Sequence, residues 1–220
     1  MPDENNFSSD GRIVQLEHAT QAIKLGTIIL GIKTKFCALI LIERKKDDIL
    51  NENTNAQKMI KFNDSLCCVI SGLTSDARFL IDQIQVKLEN NFFVSNETPT
   101  VENCGKIILK LASMVEDGSE KKFFKNRPLG VAFLICGLDH DGLSLVQVDP
   151  AGILKKKEFS SLGSGQDESN IIIREGYRKN MSTKETLNLG KKVLTILTEQ
   201  NHNFDQHEIY IVDNNFKTQA

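Results

Sequence analysis

Hydrophobic positions along this 220-residue chain repeat with two periods, and the switches between them outline its elements. Ile13, Leu16, Ala19, Ala22 and Ile23 recur at helical spacing, with Arg12, Gln15, Glu17, Gln21 and Lys24 between them. They predict an amphipathic helix of about three turns. Ser8, Ser9, Asp10 and Gly11 form a turn-prone cluster ahead of it, and Gly26 closes it. Apolar runs over 27–33 and 36–42, split by Thr34-Lys35, read as a hairpin with buried strands. Runs over 58–62 and 65–71 around Asn63-Asp64 read as a second. The charged, Asn-rich stretch 44–55 between the hairpins reads as a surface loop.

Two helices follow. Thr74-Ser75-Asp76 starts the first, with Ala77, Leu80, Ile81, Ile84 and Leu88 on its apolar face. Thr100 caps the second, whose face is Cys104, Ile107, Ile108, Leu111 and Val115. A charged connector over 116–126 leads to strands at 128–137 and 143–148 around Asp139-His140-Asp141-Gly142, a strong hairpin signal. Asp149-Pro150-Ala151-Gly152 turns the chain again, and Ile153-Leu154 and Glu158-Phe159 read as short strands. Gly163-Ser164-Gly165 opens a helix reaching roughly Lys179. Ser182-Thr183-Lys184-Glu185 is a capping box for the last helix, with Leu187, Leu194 and Leu197 inward. Residues 208–212 read as a final strand. Strands and helices therefore come in blocks, which predicts an α+β fold: a four-layer αββα sandwich of two antiparallel sheets flanked by helix pairs. No repeat, linker or low-complexity tract divides the chain, so residues 1–220 read as one domain.

Composition narrows the function. The net charge of −2 argues against a nucleic-acid binder. No apolar run reaches the length of a membrane span, and the first residues lack the basic start and apolar core of a secretion signal. Cys37, Cys67, Cys68, Cys104 and Cys136 form no C-x-x-C pair, and all but Cys104 lie in apolar runs, as expected of reduced thiols in a cytosolic or nuclear protein. Cys67 and Cys68 are adjacent, so a strand points them to opposite faces. His18, His140, His202 and His207 are scattered and match no metal-ligand spacing. Gly163-x-Gly165 is only a fragment of a phosphate loop, because Ser169 stands where a third glycine belongs, and reads as a tight turn before a helix. Lys155-Lys156-Lys157 and Lys121-Lys122 read as solvated loop charge. No cofactor site is expected.

The stretch Phe7-Ser8-Ser9-Asp10-Gly11-Arg12, followed by Gln15, Glu17, Ala19 and Lys24-Leu25-Gly26, resembles the N-terminal signature of alpha subunits of the proteasome core particle. The resemblance continues through Gly31-Ile32-Lys33, Glu43-Arg44-Lys45, Lys58-Met59-Ile60, Ser71-Gly72-Leu73-Thr74-Ser75-Asp76-Ala77-Arg78, Arg127-Pro128-Leu129-Gly130-Val131-Ala132, Asp149-Pro150-Ala151-Gly152 and Leu162-Gly163-Ser164-Gly165. Residues 96–102 and 177–182 look most like the fifth alpha type of the eukaryotic ring. The resemblance implies the N-terminal nucleophile hydrolase fold, with residues 7–25 as the alpha-subunit signature and a helix lying across the top of the subunit.

It also implies a role without catalysis. Catalytic beta subunits use an N-terminal threonine whose own amine is the base. Aligned that way, this chain offers Thr27, Glu43 and Lys58, with Gly26 at the cleavage point. A processed threonine peptidase using Thr27 is therefore the alternative reading. If the leader is retained, the Thr27 nitrogen is an amide and takes no proton. The favoured reading is a non-catalytic alpha-ring subunit that supports ring assembly, substrate gating and activator docking in ubiquitin- and ATP-dependent protein degradation. Its partners would be other alpha subunits in a ring of seven, beta-ring subunits, and a regulatory particle or other activators. No nucleic acid or membrane is expected, and the location would be cytoplasmic and nuclear.

Activator C-terminal tails enter pockets between neighbouring alpha subunits of the family. The matching positions here are Lys58, pairing with the terminal carboxylate, Gly26, bare enough for a close backbone approach, and the apolar Leu73. Three departures stand out. Ser9 and His18 replace a proline and a tyrosine of the gate-opening cluster, a Tyr-Asp-Arg segment is absent before Phe7, and Cys37 replaces a turn glycine. A diverged ring protein of an alternative assembly is a third reading that these departures allow.

Overall fold

The computed structural model describes residues 8–43, 58–63, 66–112, 128–198 and 207–213. The elements in chain order are α1 (Val14–Lys24), β1 (Ile29–Lys33), β2 (Cys37–Glu43), β3 (Met59–Asn63) and β4 (Leu66–Gly72), followed by α2 (Thr74–Ser95), α3 (Val101–Ala112), β5 (Val131–Asp139) and β6 (Gly142–Val148). After these come β7 (Leu154–Lys156), β8 (Phe159–Leu162), α4 (Gln166–Gly176), α5 (Thr183–Thr198) and β9 (His207–Asp213). One sheet has the order β8-β1-β2-β9 and the other β3-β4-β5-β6-β7, with antiparallel pairing throughout. The expected loop 44–55, the Asp64 half of the β3–β4 turn and the connector 116–126 lie outside the described residues.

Why the sheets stack follows from their side-chain alternation. A strand sends successive residues to opposite faces, and here both faces are apolar, so each sheet must be covered twice. In β4, Cys67 and Val69 face the other sheet, whereas Leu66, Cys68 and Ile70 face α2 and α3. In β5, Ala132, Leu134 and Cys136 point between the sheets, and Phe133 and Ile135 towards the helices. Across the gap, Ile29, Ala38, Ile40 and Ile42 meet them, whereas Leu30, Ile32, Leu39 and Leu41 pack under α4 and α5. Three apolar layers separate four structural layers, the predicted αββα sandwich. Each fully buried Leu or Ile contributes roughly 1.5–3 kcal/mol of transfer free energy. The adjacent Cys67 and Cys68 do part to opposite faces, and all five cysteines are free and buried.

The caps come out largely as expected. The Thr100 hydroxyl accepts the Asn103 N–H at 3.1 Å. Ser182 and Glu185 close the capping box reciprocally, with Ser182 N donating to Glu185 Oε2 at 2.7 Å and Glu185 N to Ser182 Oγ at 3.3 Å. That bonding holds the Glu185 carboxyl below its ordinary pKa. The first hairpin closes through Thr34, whose hydroxyl accepts the N–H groups of Phe36 and Cys37 and whose own N–H donates to Cys37 O at 2.8 Å. Cys37 has no positive φ, so the turn does not need the glycine it replaces.

Two expectations need correction, the end of α4 and the place of the lysine run, and two others gain detail. α4 stops at Gly176, not near Lys179, because Tyr177 turns extended and its hydroxyl donates to Lys33 O at 2.8 Å and Glu158 Oε2 at 3.0 Å. The short strands β7 and β8 belong to different sheets, β7 pairing with β6 and β8 with β1. Lys155 and Lys156 lie on β7, not in a loop, and Lys156 pairs with Glu102 at 2.8 Å. The inner face of α5 includes Thr186, Leu189, Gly190 and Val193 as well as Leu194.

Candidate functional site

The ends of α1, β1, β3 and β4 converge on one small region. Ile23 is 4% exposed and joins the apolar layer between the sheets, and α1 packs across β4 and β5. The leader helix is thus part of the core. Its entry loop is closed by Ser8, whose N–H donates to Arg12 O at 2.8 Å and whose hydroxyl accepts the Arg12 N–H at 3.1 Å. His18 is exposed on the helix.

After Leu25 the chain enters β1 through Gly26 and Thr27. Gly26 does not adopt a positive φ, so it does not cap the helix by left-handed freedom. Space explains it: a Cβ there would lie 2.6 Å from Ser71 Oγ and 3.1 Å from Ile23 O. The Gly26 carbonyl accepts the Ser164 N–H at 2.9 Å. The Gly163 turn presses so closely that a Cβ on it would meet Thr27 O at 2.1 Å, and its φ of +90° is one that glycine adopts freely. The Gly26–Thr27 peptide is therefore gripped by the turn before α4. Ser169 takes no part in anion binding there; it is buried and donates to Gly165 O at 2.7 Å.

Thr27 is 5% exposed. The Lys58 ammonium donates to its Oγ1. Glu43 sits one step along, where its Oε2 accepts the Ile28 N–H at 3.3 Å and its own N–H donates to Ile28 O at 3.0 Å. The three residue types of a threonine peptidase thus lie together. The nitrogen of Thr27, however, is a peptide nitrogen whose lone pair is delocalised into the Gly26 carbonyl, so it is not a base. In the intact chain the Lys58–Thr27 contact ties the start of β1 to the entrance of β3.

A cavity of about 30 Å³ opens beside this contact, lined by Gly26, Thr27, Lys58, Ser71, Gly72 and Thr74 among others. Lys58 and Gly26 therefore share one small cleft. Leu73 lies between the lining residues Gly72 and Thr74 in sequence but does not itself line the cleft; it is 45% exposed, and a Cβ on Gly130 would touch its Cδ1 at 3.0 Å. Leu73 N donates to Gly130 O at 2.9 Å, and the buried Asp76 accepts the Gly130 N–H at 3.2 Å, so the start of α2 is tied to the start of β5. Ser71, Gly72, the Gly163-Ser164 clasp and Leu25, which is 79% exposed beside Gly26, join this site without any local sequence signal for it. Ser71 and Gly163 lie within the family-like motifs, but their contact with Gly26 and Thr27 joins strands far apart in sequence. Among the described residues, no group of three or more His, Cys, Asp or Glu side chains could hold a metal ion.

An N-terminal helix built into the top of a two-sheet sandwich, over a threonine–lysine pair at the first strand, defines the class: the chain belongs to the proteasome subunit family, whose model matches residues 23–212. Among curated relatives, it is 33% identical over 208 residues to proteasome subunit alpha type-5 of Trypanosoma brucei brucei, covering 94% of this chain and 85% of that one. It is 34% identical over 199 residues to the probable proteasome subunit alpha type-5 of Schizosaccharomyces pombe, covering 89% and 80%. The alpha type-5 subunit of Caenorhabditis elegans is 30% identical over 208 residues, covering 94% and 84%.

Proposed function

We propose that this chain is a non-catalytic alpha subunit of the proteasome core particle. It sits in a ring of seven alpha subunits above a beta ring, in cytoplasm and nucleus, and serves assembly, gating and activator docking in ubiquitin-dependent degradation. The observation that carries this reading is the amide linkage of Thr27 to a leader helix whose Ile23 is buried between the sheets. Removing the leader would strip side chains from the core as well as expose an amine. The alpha type-5 names of its relatives support the same reading.

Lys58, Gly26 and Leu73 form the proposed pocket for an activator's C-terminal tail. Lys58 brings a positive charge to this cleft, the charge that a tail's terminal carboxylate would pair with. Leu73 and Leu25, next in sequence to lining residues, are exposed apolar side chains that a tail could contact. Intact-mass measurement of the chain from its purified particle, with an epoxyketone probe for N-terminal threonines, tests the non-catalytic role. An unprocessed, unlabelled chain is expected. Docking at this pocket should weaken when Lys58→Met removes the charge, and docking that persists there unchanged would remove Lys58 from the site.

The second reading, a threonine peptidase released by cleavage after Gly26, draws on the Lys58–Thr27 contact and the nearby Glu43. A labelled chain beginning at Thr27 would establish it and overturn the first.

A further inference from the structure

Cys67 of β4 and Cys136 of β5 are direct partners in the antiparallel register. Both side chains lie in the layer between the sheets, on the same face of the same sheet. Residues opposite each other in an antiparallel pair have Cα atoms about 4.5–5.5 Å apart, inside the roughly 4.4–6.8 Å span that a disulfide bridges. The Cys67 thiol already reaches its cross-strand partner residue, donating to the backbone carbonyl of Cys136 at 3.5 Å. We infer that Cys67 and Cys136 are an oxidisable dithiol that closes to a cross-strand disulfide when the folded protein meets a hydroperoxide.

The other cysteines are placed differently. Cys68 and Cys104 belong to the layer under α2 and α3, on the far side of the sheet. Cys37 starts β2 in the opposite sheet. Cys67 is the better attacking group of the pair: it retains 5% exposure while Cys136 has none, and β4 lies one strand in from the edge strand β3. Its thiol is also held below the ordinary pKa, first by the hydrogen bond with Cys136 and then by Lys61 on the neighbouring strand, against the opposing effect of burial. Thiolate character makes a cysteine the nucleophile.

The chemistry balances in two steps. The Cys67 sulfur attacks one peroxide oxygen, the O–O bond breaks, and a sulfenic acid forms as the departing oxygen leaves as water or alcohol. The Cys136 sulfur then attacks the Cys67 sulfur, an S–S bond forms, and the hydroxyl leaves as water with the second thiol proton. The thiols lose two electrons together and the hydroperoxide gains them. The bridge joins two central strands at the opposite end of β4 from Gly72, so it can form without disturbing the Lys58 cleft.

The test uses the full chain under native conditions. It is treated with hydrogen peroxide, unfolded in urea with N-ethylmaleimide, and weighed intact and after digestion. Loss of two of the five maleimide adducts, a Cys67–Cys136 peptide pair, and recovery of all adducts on reduction are expected. The bridge should survive Cys68→Ser and disappear in Cys67→Ser. Full retention of the adducts, over-oxidation of Cys67 without a bridge, or a bridge from Cys37 or Cys68 instead would each overturn the inference. Oxidation in urea is the control, where the native pair should lose its preference over other pairings.

Discussion

Gly72 and Gly142 allow backbone strain to be separated from steric contact beside the Lys58 cleft. Both adopt a φ that side chains resist, +114° and +107° respectively. Replacing either with alanine therefore costs about 1–3 kcal/mol in backbone strain. Their surroundings differ completely. A Cβ on Gly142 meets nothing within 4 Å, because it lies at the tip of the β5–β6 hairpin. A Cβ on Gly72 would lie 2.1 Å from Gly130 O and 3.2 Å from Val131 Cα, and those neighbours are backbone that cannot swing away. To make room, β4 must move from β5 where Leu73 N donates to Gly130 O and Gly130 N donates to Asp76. Overpacking adds about 1–3 kcal/mol and a weakened hydrogen bond about 1 kcal/mol. Gly72→Ala should thus be some 2–4 kcal/mol less stable than Gly142→Ala. With a urea dependence of roughly 2–3 kcal/mol per molar, that difference separates their unfolding midpoints by about 1 M. Far-UV circular dichroism of the two purified variants in urea measures it. Coincident midpoints would mean that φ strain alone governs both sites and that the tight β4–β5 contact carries no energy.

Other perturbations probe the joint and the core. Thr27→Val keeps the shape but leaves the Lys58 ammonium without the hydroxyl, and should lower stability by about 1–3 kcal/mol, read as a fall in the urea midpoint. Ser182→Ala removes one side of the capping box and should cost about 1 kcal/mol at α5, with faster amide exchange in its first turn. Glu185 has a depressed pKa from its bonds to Ser182. Its contribution is present above the unfolded carboxyl value and lost as pH falls through the folded one, so the Ser182→Ala difference should shrink in acid. Burial pushes the Cys104 thiol from 9.0 up to about 12. For this acid the folded state holds its proton longer, so stability is intact below pH 9 and declines as pH rises towards 12; Cys104→Ala should flatten that decline.

Periodicity exposed the layers because both sheets are buried on both faces. Runs such as 66–70 and 131–136 are continuous and apolar, and the adjacent Cys67 and Cys68 point to opposite faces, one in each apolar layer. The capping residues Thr100, Ser182 and Glu185 were equally readable, since their partners lie within four residues. What stayed hidden was relational. Nothing local assigns β7 and β8 to different sheets, because the chain crosses between them in two residues, Lys157 and Glu158. α4 ends early for a tertiary reason, the anchoring of Tyr177 on Lys33 and Glu158. Residue matching brought Gly26 and Lys58 to one cleft, but it could not reveal that the missing Cβ of Gly26 is required first by Ser71 of its own subunit.

That internal demand bears on the threonine, the glutamate and the lysine at these positions as well. Each has a structural use that does not involve peptide hydrolysis. Thr27 and Lys58 fasten the start of β1 to the entrance of β3, where Lys58 O also accepts the Ile70 N–H at 3.0 Å. Glu43 closes the far end of the β1–β2 ladder on Ile28 through both its backbone and its carboxylate. The leader peptide supplies what a free amine would displace: Gly26 is continuous with α1, bonded to Ser164 and packed on Ser71. Cleavage there would break the covalent link to a helix that contributes Ile23 to the core, and would leave the Gly163 turn facing a loose end. Each of the side chains near Thr27 thus has a structural use in the folded chain. The peptide between Gly26 and Thr27 is what joins these contacts to α1 and through Ile23 to the core.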